Sequence, residues 1–206
     1  IPSIALAAME NLKHKGVCVI PITGRPAGWC DHIARMWPVD GIIGENGAFY
    51  FKYDDTAKKM VRRYFKTERD RKEDFKKLLK IKRKISRKIP GCQVSADQAY
   101  READLAIDFC EDVPPLSKKE VDKIVTCFKE AGAQAKISSI HVNGWFGDYN
   151  KLSMTQLFLE EVFHVRLDEI KQKIIFIGDS PNDSPMFSYF PHSVGVANVL
   201  NFKERM

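Results

Sequence analysis

The sequence has few cysteines and no long apolar run, and each absence excludes a class of protein. The five cysteines among its 206 residues are an odd number and include no CxxC pair. This pattern argues against a disulfide framework and a zinc site, and it is typical of a reducing cytoplasm. No window is apolar over the roughly 20 residues that cross a bilayer. The apolar start IPSIALAAM lacks the basic leader and cleavage site of a signal peptide, so we expect no membrane partner.

The positive charge is concentrated in one segment. The chain carries a net charge of +6, yet residues 66–88 alone hold twelve Lys or Arg against four Asp or Glu. The rest of the chain is therefore mildly acidic. A lysine-rich helix over 68–88 could bind nucleic acid through its phosphates. However, the acidic residues neutralise its first half and no aromatic residues interleave for base stacking, so a solvated helix face is the favoured interpretation.

Apolar patterning predicts an α/β fold. VCVIPI (17–22), KIIFIG (173–178) and SVGVAN (193–198) are typical of buried parallel strands. A segment of roughly 95 residues between the first two combines helical periodicity with strand-like alternation. We therefore predict a Rossmann-like, doubly wound parallel sheet carrying an inserted α+β cap domain. The predicted core comprises residues 1–51 and 147–206, and the predicted cap comprises residues 52–146.

Polar side chains follow the predicted core strands. Thr23 comes directly after VCVIPI, and Asp179 and Asp183 follow KIIFIG. Lys151 lies in the first turn of a predicted helix, where the helix dipole disfavours a cation unless an anion is nearby. Ligands of open α/β sheets bind beyond the carboxyl ends of the strands. A hydroxyl, an ammonium and two carboxylates at that edge suit a phosphate and a hard cation such as Mg²⁺.

These motifs resemble those of a known family. TGRP, NK at the start of a helix, GDSPND and VGVAN follow one another in the order of the haloacid dehalogenase (HAD) superfamily of phosphohydrolases. The IGENGAFYF hairpin and the long insertion resemble its IIB branch, which includes sucrose-phosphate and mannosyl-3-phosphoglycerate phosphatases. The resemblance implies Mg²⁺ as cofactor and a small phosphorylated metabolite as substrate.

The resemblance also implies roles for individual residues. Thr23 would hydrogen-bond the transferring phosphoryl group, and Lys151 would offset the charge on the phosphate and on the nucleophile. Asp179 would ligate Mg²⁺, and Asp183 with Asn182 would support the metal shell or the phosphate. The metal candidates are therefore Asp179 and Asp183, and the substrate-binding candidates are Thr23, Gly24, Arg25, Asn46, Lys151 and Asn182. Asn46 is as well explained by a structural hairpin, and Arg25 by bracing of its loop.

One part of the family pattern is missing from the sequence. The nucleophile of the family is the first aspartate of a DxDG[TS]-like motif that precedes the first helix, whereas residues 1–22 contain no aspartate. Asp40-Gly41 has different neighbours and lies after Thr23. We therefore expect the nucleophile upstream of Ile1 and further chain beyond Met206. The 206-residue chain on its own is expected to be inactive.

The cap leaves several alternatives open. The expected activity is hydrolysis of a small phosphorylated sugar or organic acid through an aspartyl-phosphate intermediate. A phosphomutase of the same branch, and a non-catalytic module that binds phosphate or nucleic acid, are the alternatives. His141, Asn143 and Trp145, in the segment that leads back to Lys151, are candidates for contacting the leaving group, although an aromatic residue at a domain hinge is more often packing.

Overall fold

The computed structural model describes residues 2–197, 199 and 200, and the chain alternates helices with short strands. This part of the chain holds seven α-helices: α1 (Ser3–His14), α2 (Ala27–Met36), α3 (Glu68–Lys88), α4 (Lys118–Glu130), α5 (Lys151–Phe163), α6 (Leu167–Ile170) and α7 (Ser184–Tyr189). It also holds nine strands: β1 (Ile42–Gly44), β2 (Phe49–Asp54), β3 (Lys59–Tyr64), β4 (Gln93–Val94), β5 (Leu105–Asp108), β6 (Gln134–Ile137), β7 (His141–Trp145), β8 (Ile175–Gly178) and β9 (His192–Gly195). The architecture is the mixed α/β fold that the sequence predicts.

The hairpin predicted around Asn46-Gly47 is confirmed. β1 pairs antiparallel with β2, with Gly44 opposite Phe49, and a 3-10 turn, Glu45–Gly47, joins the two strands. On its other side β1 forms a parallel bridge, in which Ile43 pairs with Ile22. The hairpin turn therefore lies beside the chain segment that follows Ile22.

The sheet of this hairpin extends past the predicted domain boundary. β3 pairs along its whole length with β2, so that the predicted boundary at residues 51 and 52 falls inside a strand. The sequence KMVRRY of β3 shows no apolar alternation, because most of its side chains are exposed. Apolar periodicity, the main sequence signal for a strand, is therefore missing from β3.

The cap consists of an antiparallel sheet covered by two helices. Its strand order is β4-β5-β7-β6, and α3 and α4 pack on one face through a cluster that includes Leu78, Ile85, Ile107, Ile124, Phe128 and Val142. All four residues of β5 are buried, so both faces of this strand are covered. The second face of the sheet is turned toward the core domain, where Trp145 joins the apolar cluster of α2 and β2. The segment AKISSIHV (135–142) contains the turn of the β6–β7 hairpin.

Helix α3 has the predicted bounds and a narrow buried stripe. Leu78, Ile81 and Ile85 are buried, whereas Phe75 and Leu79 are exposed. The buried positions recur every three or four residues, as expected for one contact line of a helix. The basic side chains lie mostly on the solvent side of α3.

Helix α5 begins at Lys151, as predicted. Its amino end carries a reciprocal cap, in which the Asn150 side chain accepts from the Ser153 N–H and the Ser153 hydroxyl accepts from the Asn150 N–H. Two of the N–H groups that lack partners at a helix start are thereby satisfied. The cap thus fixes the start of α5 at Lys151.

Strands β8 and β9 pair in parallel, but β8 is not the fully buried strand that the sequence predicts. Phe176 is buried, whereas Ile175 and Ile177 are 69% and 63% exposed. Within the described residues β8 pairs only with β9, so its second edge has no strand partner. Exposed and buried side chains alternate along β8 because no described element covers the face that carries the two isoleucines.

The segment predicted as the first parallel strand also has one unpaired edge. In residues 17–22 only Ile22 forms a ladder bridge, although Val19 and Pro21 also accept backbone bonds from the chain before and within β1. Val17 is 46% exposed. We call the second edge of β8 and the outer edge of this segment the two unpaired edges.

The described ends of the chain add little to the core. α1 has the predicted helical periodicity, yet none of its residues is buried. No helix of residues 2–197, 199 and 200 is both long and apolar enough to span a membrane. Asn198 of the VGVAN motif and the end of the chain near Met206 lie outside the described residues.

Candidate active site

Thr23 is held at the end of its segment by the hairpin turn. Its N–H donates to the Ile43 carbonyl at 2.9 Å, and its carbonyl accepts from the Asn46 N–H at 3.1 Å. Its hydroxyl oxygen accepts from the Arg25 N–H at 3.1 Å. Because two of these bonds join Thr23 to Ile43 and Asn46, the Thr23–Gly24 loop has a fixed position relative to the turn Glu45–Gly47.

Asn46 joins this loop to the loop that follows β8. It adopts a left-handed backbone conformation with φ 58°, which asparagine tolerates better than most residues. Its side chain is buried, and its Oδ1 accepts from Asn182 Nδ2 at 3.0 Å. Its Nδ2 has no hydrogen-bond partner in the described part of the chain. A buried donor without a partner costs free energy, and an oxygen of a bound anion would satisfy it.

The loop after β8 is folded around the carboxylate of Asp183. This side chain is 3% exposed, and its Oδ2 accepts from the N–H groups of Asp179 and Ser180 at 3.0 and 3.2 Å. The Ser180 hydroxyl donates to Asn182 Oδ1 at 2.5 Å. These bonds shape a compact turn in which Asn182 faces the hairpin and Asp179 lies at the exposed tip of β8.

Lys151 forms a buried ion pair with this loop. Its Nζ lies 2.5 Å from Asp183 Oδ1, and the residue is only 6% exposed. A buried ammonium group at the amino end of a helix is unfavourable unless a negative charge lies close to it. Asp183 supplies that charge, which explains how the fold accommodates a lysine at this position.

The structure brings most of the predicted residues together. Thr23 contacts Asn46, Asn46 contacts Asn182, and the loop of Asn182 holds Asp183 against Lys151. Gly24 lies beside Asn46, since a Cβ atom at Gly24 would lie 3.2 Å from the Asn46 Oδ1 atom. We call Thr23, Asn46, Asn182, Asp183 and Lys151 the polar chain. It connects the ends of two separate core segments to the first residue of α5.

The sequence predicts Asp179 and Asp183 as metal ligands, and both lie in the loop after β8. The described residues contain no group of three His, Cys, Asp or Glu side chains arranged to hold a metal ion. The oxygens of Asp183 already accept from Lys151 and two N–H groups. A hard cation prefers several oxygen ligands, and waters can provide some of them. The carboxylate of Asp179 is chemically suited to be one ligand of such a cation.

Glu45 is a buried contact between core and cap that the sequence analysis missed. The two oxygens of its carboxylate accept from the N–H of Ala27 in the core and from those of Glu102, Ala103 and Asp104 in the cap. Burial and the nearby Asp104 raise the pKa of Glu45 to about 8, against the opposing effects of Arg101 and the N–H donors. An acidic residue directly after a buried strand was the available sequence signal.

Two arginines extend this contact. Arg101 of the cap is buried and donates to the Gly24 carbonyl at 2.9 Å as well as to Asp97 and Asp104. Arg25 of the core points toward the cap, where it pairs with Asp97 and with Glu111, both at 3.3 Å. The cap therefore binds the loop that carries Thr23 and Gly24.

The three cap candidates lie on the sheet face that is turned toward the core. Asn143 donates to Asp104 at 2.9 Å, and Trp145 stacks on Tyr149, with ring centroids 5.9 Å apart. The Nε2 atom of His141 lies 2.8 Å from Glu111 Oε2, without the alignment of a hydrogen bond. Burial lowers the pKa of His141. Asn143 and Trp145 thus have structural contacts of their own.

Comparison with solved structures identifies the architecture. A protein from Thermoplasma acidophilum superposes with a TM-score of 0.70 at 20% identity, covering 96% of this chain and 77% of that one. The Synechocystis sucrose-phosphatase, solved with sucrose and phosphate, superposes with a TM-score of 0.68 at 16% identity. The match covers 100% of this chain and 82% of that one. A HAD subclass IIB sugar phosphatase superposes with a TM-score of 0.61 at 14% identity. The match covers 95% of this chain and 80% of that one. The chain has the haloacid dehalogenase fold.

The HAD fold confirms the resemblance that the motifs indicate. The identities of these structures are low, so the similarity concerns the fold and not a shared substrate. No protein-family model matches the sequence, and a search of curated proteins found no similar sequence. The similar structures include a sucrose-phosphatase and the C-terminal domain of a trehalose-6-phosphate phosphatase, and the residues of this chain must therefore carry the functional argument.

Proposed function

We propose that this chain is part of a Mg²⁺-dependent phosphatase that hydrolyses a small phosphorylated sugar or organic acid. The observation that carries the proposal is the polar chain, which places a hydroxyl, an orphaned amide donor and a buried lysine at one edge of the core. Phosphoryl transfer depends chiefly on positioning and on neutralisation of charge. The HAD fold and the sugar phosphatases that share it support the same interpretation.

Each residue of the site has a task in this reaction. The Thr23 hydroxyl and the Asn46 amide hydrogen-bond oxygens of the phosphoryl group. The Lys151 ammonium neutralises charge that develops on those oxygens, while Asp183 keeps it in place. Asp179 contributes a ligand to Mg²⁺, which when bound supplies further positive charge to the phosphate. Asn182 and Ser180 hold the loop that carries Asp179.

The nucleophile is proposed to be an aspartate upstream of Ile1. Its carboxylate oxygen attacks phosphorus, the bond to the ester oxygen breaks, and the leaving alcohol takes a proton from an acid of the same upstream segment. Water then attacks the aspartyl-phosphate and releases inorganic phosphate, which regenerates the carboxylate. The two unpaired edges support this proposal, because a strand placed on either one would end beside Thr23 or Asp179. A reducing compartment such as the cytoplasm suits the five free thiols.

The decisive experiment compares chains of two lengths. Phosphate release from a panel of sugar and acid phosphates, with Mg²⁺, is measured for the protein extended upstream of Ile1 and for the 206-residue chain. We expect turnover only from the extended protein. Lys151→Met in the extended protein is expected to lower kcat about 100- to 1,000-fold, as for the loss of one preorganised group that stabilises charge, and Asp179→Asn to abolish Mg²⁺-dependent turnover.

The matched control is Asp55→Asn, which alters an exposed carboxylate in the loop between β2 and β3. We expect it to retain full activity. An extended protein that releases no phosphate from any ester, or an Asp179→Asn variant with normal turnover, would contradict the proposed function. Transfer of phosphate within the substrate in place of its release would identify a mutase.

A further inference from the structure

The inner face of the cap sheet can be assigned residue by residue. Ala135 and Ile137 of β6 pack against the helix-covered cluster, so their neighbours Gln134 and Lys136 point to the opposite face, because side chains alternate along a strand. Lys136 pairs in register with Asn143, whose side chain contacts Asp104 on the core side of the sheet. Lys136 is therefore on the face of the cap that looks toward the core.

Strand β6 is also the cap strand nearest to the loop after β8. It is an edge strand of the cap sheet, and its Cα atoms approach those of the turn Pro181–Asp183 to within 8 Å. That turn contains Asn182 and Asp183 of the polar chain. The side chain of Lys136 thus extends from the cap at the border of the candidate active site.

Lys136 differs from the other charged groups around the site. Arg25 is paired with Asp97 and Glu111, and Lys151 is paired with Asp183. Lys136 is exposed and has no ion pair or hydrogen bond with any residue in the described ranges. An unpaired cation attracts anions that come close to it.

We propose that Lys136 determines specificity by binding an anionic group on the leaving-group side of the substrate. This inference rests on the proposed function, in which Thr23, Asn46 and Lys151 bind the phosphoryl group that is transferred. The cap covers the rest of the substrate, and Lys136 favours a phosphate monoester that carries a carboxylate or a second phosphate. The substrate class is therefore an acidic phosphate ester and not an ester of a neutral alcohol.

The test uses a pair of esters that differ in one acidic group. Initial rates are measured on 3-phosphoglycerate and on glycerol 3-phosphate, whose leaving alcohols have similar size, with the protein extended upstream of Ile1. We expect the wild type to prefer the acid, and Lys136→Met to lower the ratio of the two kcat/KM values about 10- to 100-fold, the range of a charge-assisted hydrogen bond. The loss should appear in KM for the acid while kcat for glycerol 3-phosphate is unchanged.

Two further variants make the test specific. Lys136→Arg is expected to keep the preference, because it restores the positive charge. Lys119→Met, which removes an exposed lysine of α4, is expected to leave both esters unaffected. If the ratio is the same in wild type and Lys136→Met, or if the wild type prefers the neutral ester, the inference about Lys136 is overturned while the phosphatase function stands. If no ester on the larger panel is hydrolysed, the proposed function fails as well.

Discussion

Glu45 has an environment in which opposing electrostatic effects are large. Its carboxylate is fully buried, and four backbone N–H groups from two domains point at it. Removal from water favours the protonated acid, whereas N–H donors and the Arg101 charge favour the carboxylate. Because burial and Asp104 prevail, the pKa of Glu45 is raised to about 8. A side chain that joins core and cap therefore changes its protonation near neutral pH.

The raised pKa predicts a pH-dependent stability. Between the ordinary pKa of 4.5 and the native value of about 8, the native protein holds a proton that the unfolded chain releases. The contribution of Glu45 is therefore fully present below pH 4.5 and is lost as the pH rises through 8. We expect the free energy of unfolding of the wild type, minus that of Glu45→Gln, to fall across this window in urea titrations.

The subtraction removes titrations that both proteins share, such as that of His141. A wild type minus Glu45→Gln difference that is flat or rises with pH would show that Glu45 is ionised in the native protein at all these values.

At the scale of single residues, the sequence predicted the positions of the polar chain but not the contacts with the cap. Lys151 was recognisable because a lysine at a helix start conflicts with the helix dipole. Glu45 and Arg101 form their contacts across 57 residues or more of chain, and no local pattern marks such pairs. Which face of β6 carries Lys136 also depends on packing that the sequence does not specify.

The turn Glu45–Gly47 illustrates how one element positions another. Gly47 has φ +106°, and a Cβ atom built on it would lie 2.1 Å from the Asn150 carbonyl oxygen. The turn therefore packs directly against the amino end of α5. Since Asn150 caps the helix that begins with Lys151, this contact fixes the lysine relative to Asn46.

Replacement of Gly47 by alanine is expected to separate these two elements. The new methyl group would overlap with backbone, which cannot move as a flexible side chain can. We expect a loss of about 3 kcal/mol or more in the free energy of unfolding, from the combined steric overlap and positive φ. Denaturant titration monitored by tryptophan fluorescence measures this loss.

Gly132→Ala is the matched control for this prediction. Gly132 also has a positive φ of +76°, but nothing lies within 4 Å of the position of its Cβ. Only the cost of the left-handed backbone applies there, roughly 1 to 2 kcal/mol. Equal losses for the two variants would mean that the contact between the turn and α5 contributes nothing.

At the scale of elements, strong local sequence signals were sufficient to predict helix starts and a hairpin, whereas weak signals were not sufficient to predict every strand. The start of α5 and the hairpin at Asn46-Gly47 are present as predicted, and Ser117 and Glu120 form a capping box, a recognisable sequence pattern, at the start of α4. β3 was missed because exposed strands lack apolar alternation. Burial of β8 was predicted from its composition, but burial depends on a neighbour, and the described chain provides none on that side.

At the scale of the whole molecule, the two unpaired edges are the main departure from a closed α/β core. Exposed backbone groups on a strand edge can pair with a further strand. If the upstream segment also covered the face of β8 that carries Ile175 and Ile177, both side chains would lose most of their exposure, and burying each isoleucine contributes about 1.5 to 3 kcal/mol. The upstream segment that we propose for the nucleophile would therefore also stabilise the core.

The same substitution should have different effects in chains of two lengths. Ile175→Ala removes a mostly exposed side chain in the 206-residue chain, and we expect a change within about 0.5 kcal/mol there. In the protein extended upstream of Ile1 we expect a loss of about 2 to 5 kcal/mol, typical of a buried isoleucine. Ile107→Ala in the cap, where Ile107 is already buried, should destabilise both chains equally. An Ile175→Ala effect that does not depend on length would argue against an upstream segment that covers this face of β8.

The pair Glu45 and Asn46 has a consequence for how the sequence of this protein can vary. The two adjacent side chains point in different directions, Glu45 to the cap and Asn46 to the loop after β8. An inserted residue between β1 and β2 would rotate both out of position at once. In the loop between β2 and β3, by contrast, the exposed side chains of Asp55 and Lys58 form an ion pair with each other across the turn. Length changes should therefore be tolerated between β2 and β3 and eliminated by selection at the Glu45–Gly47 turn.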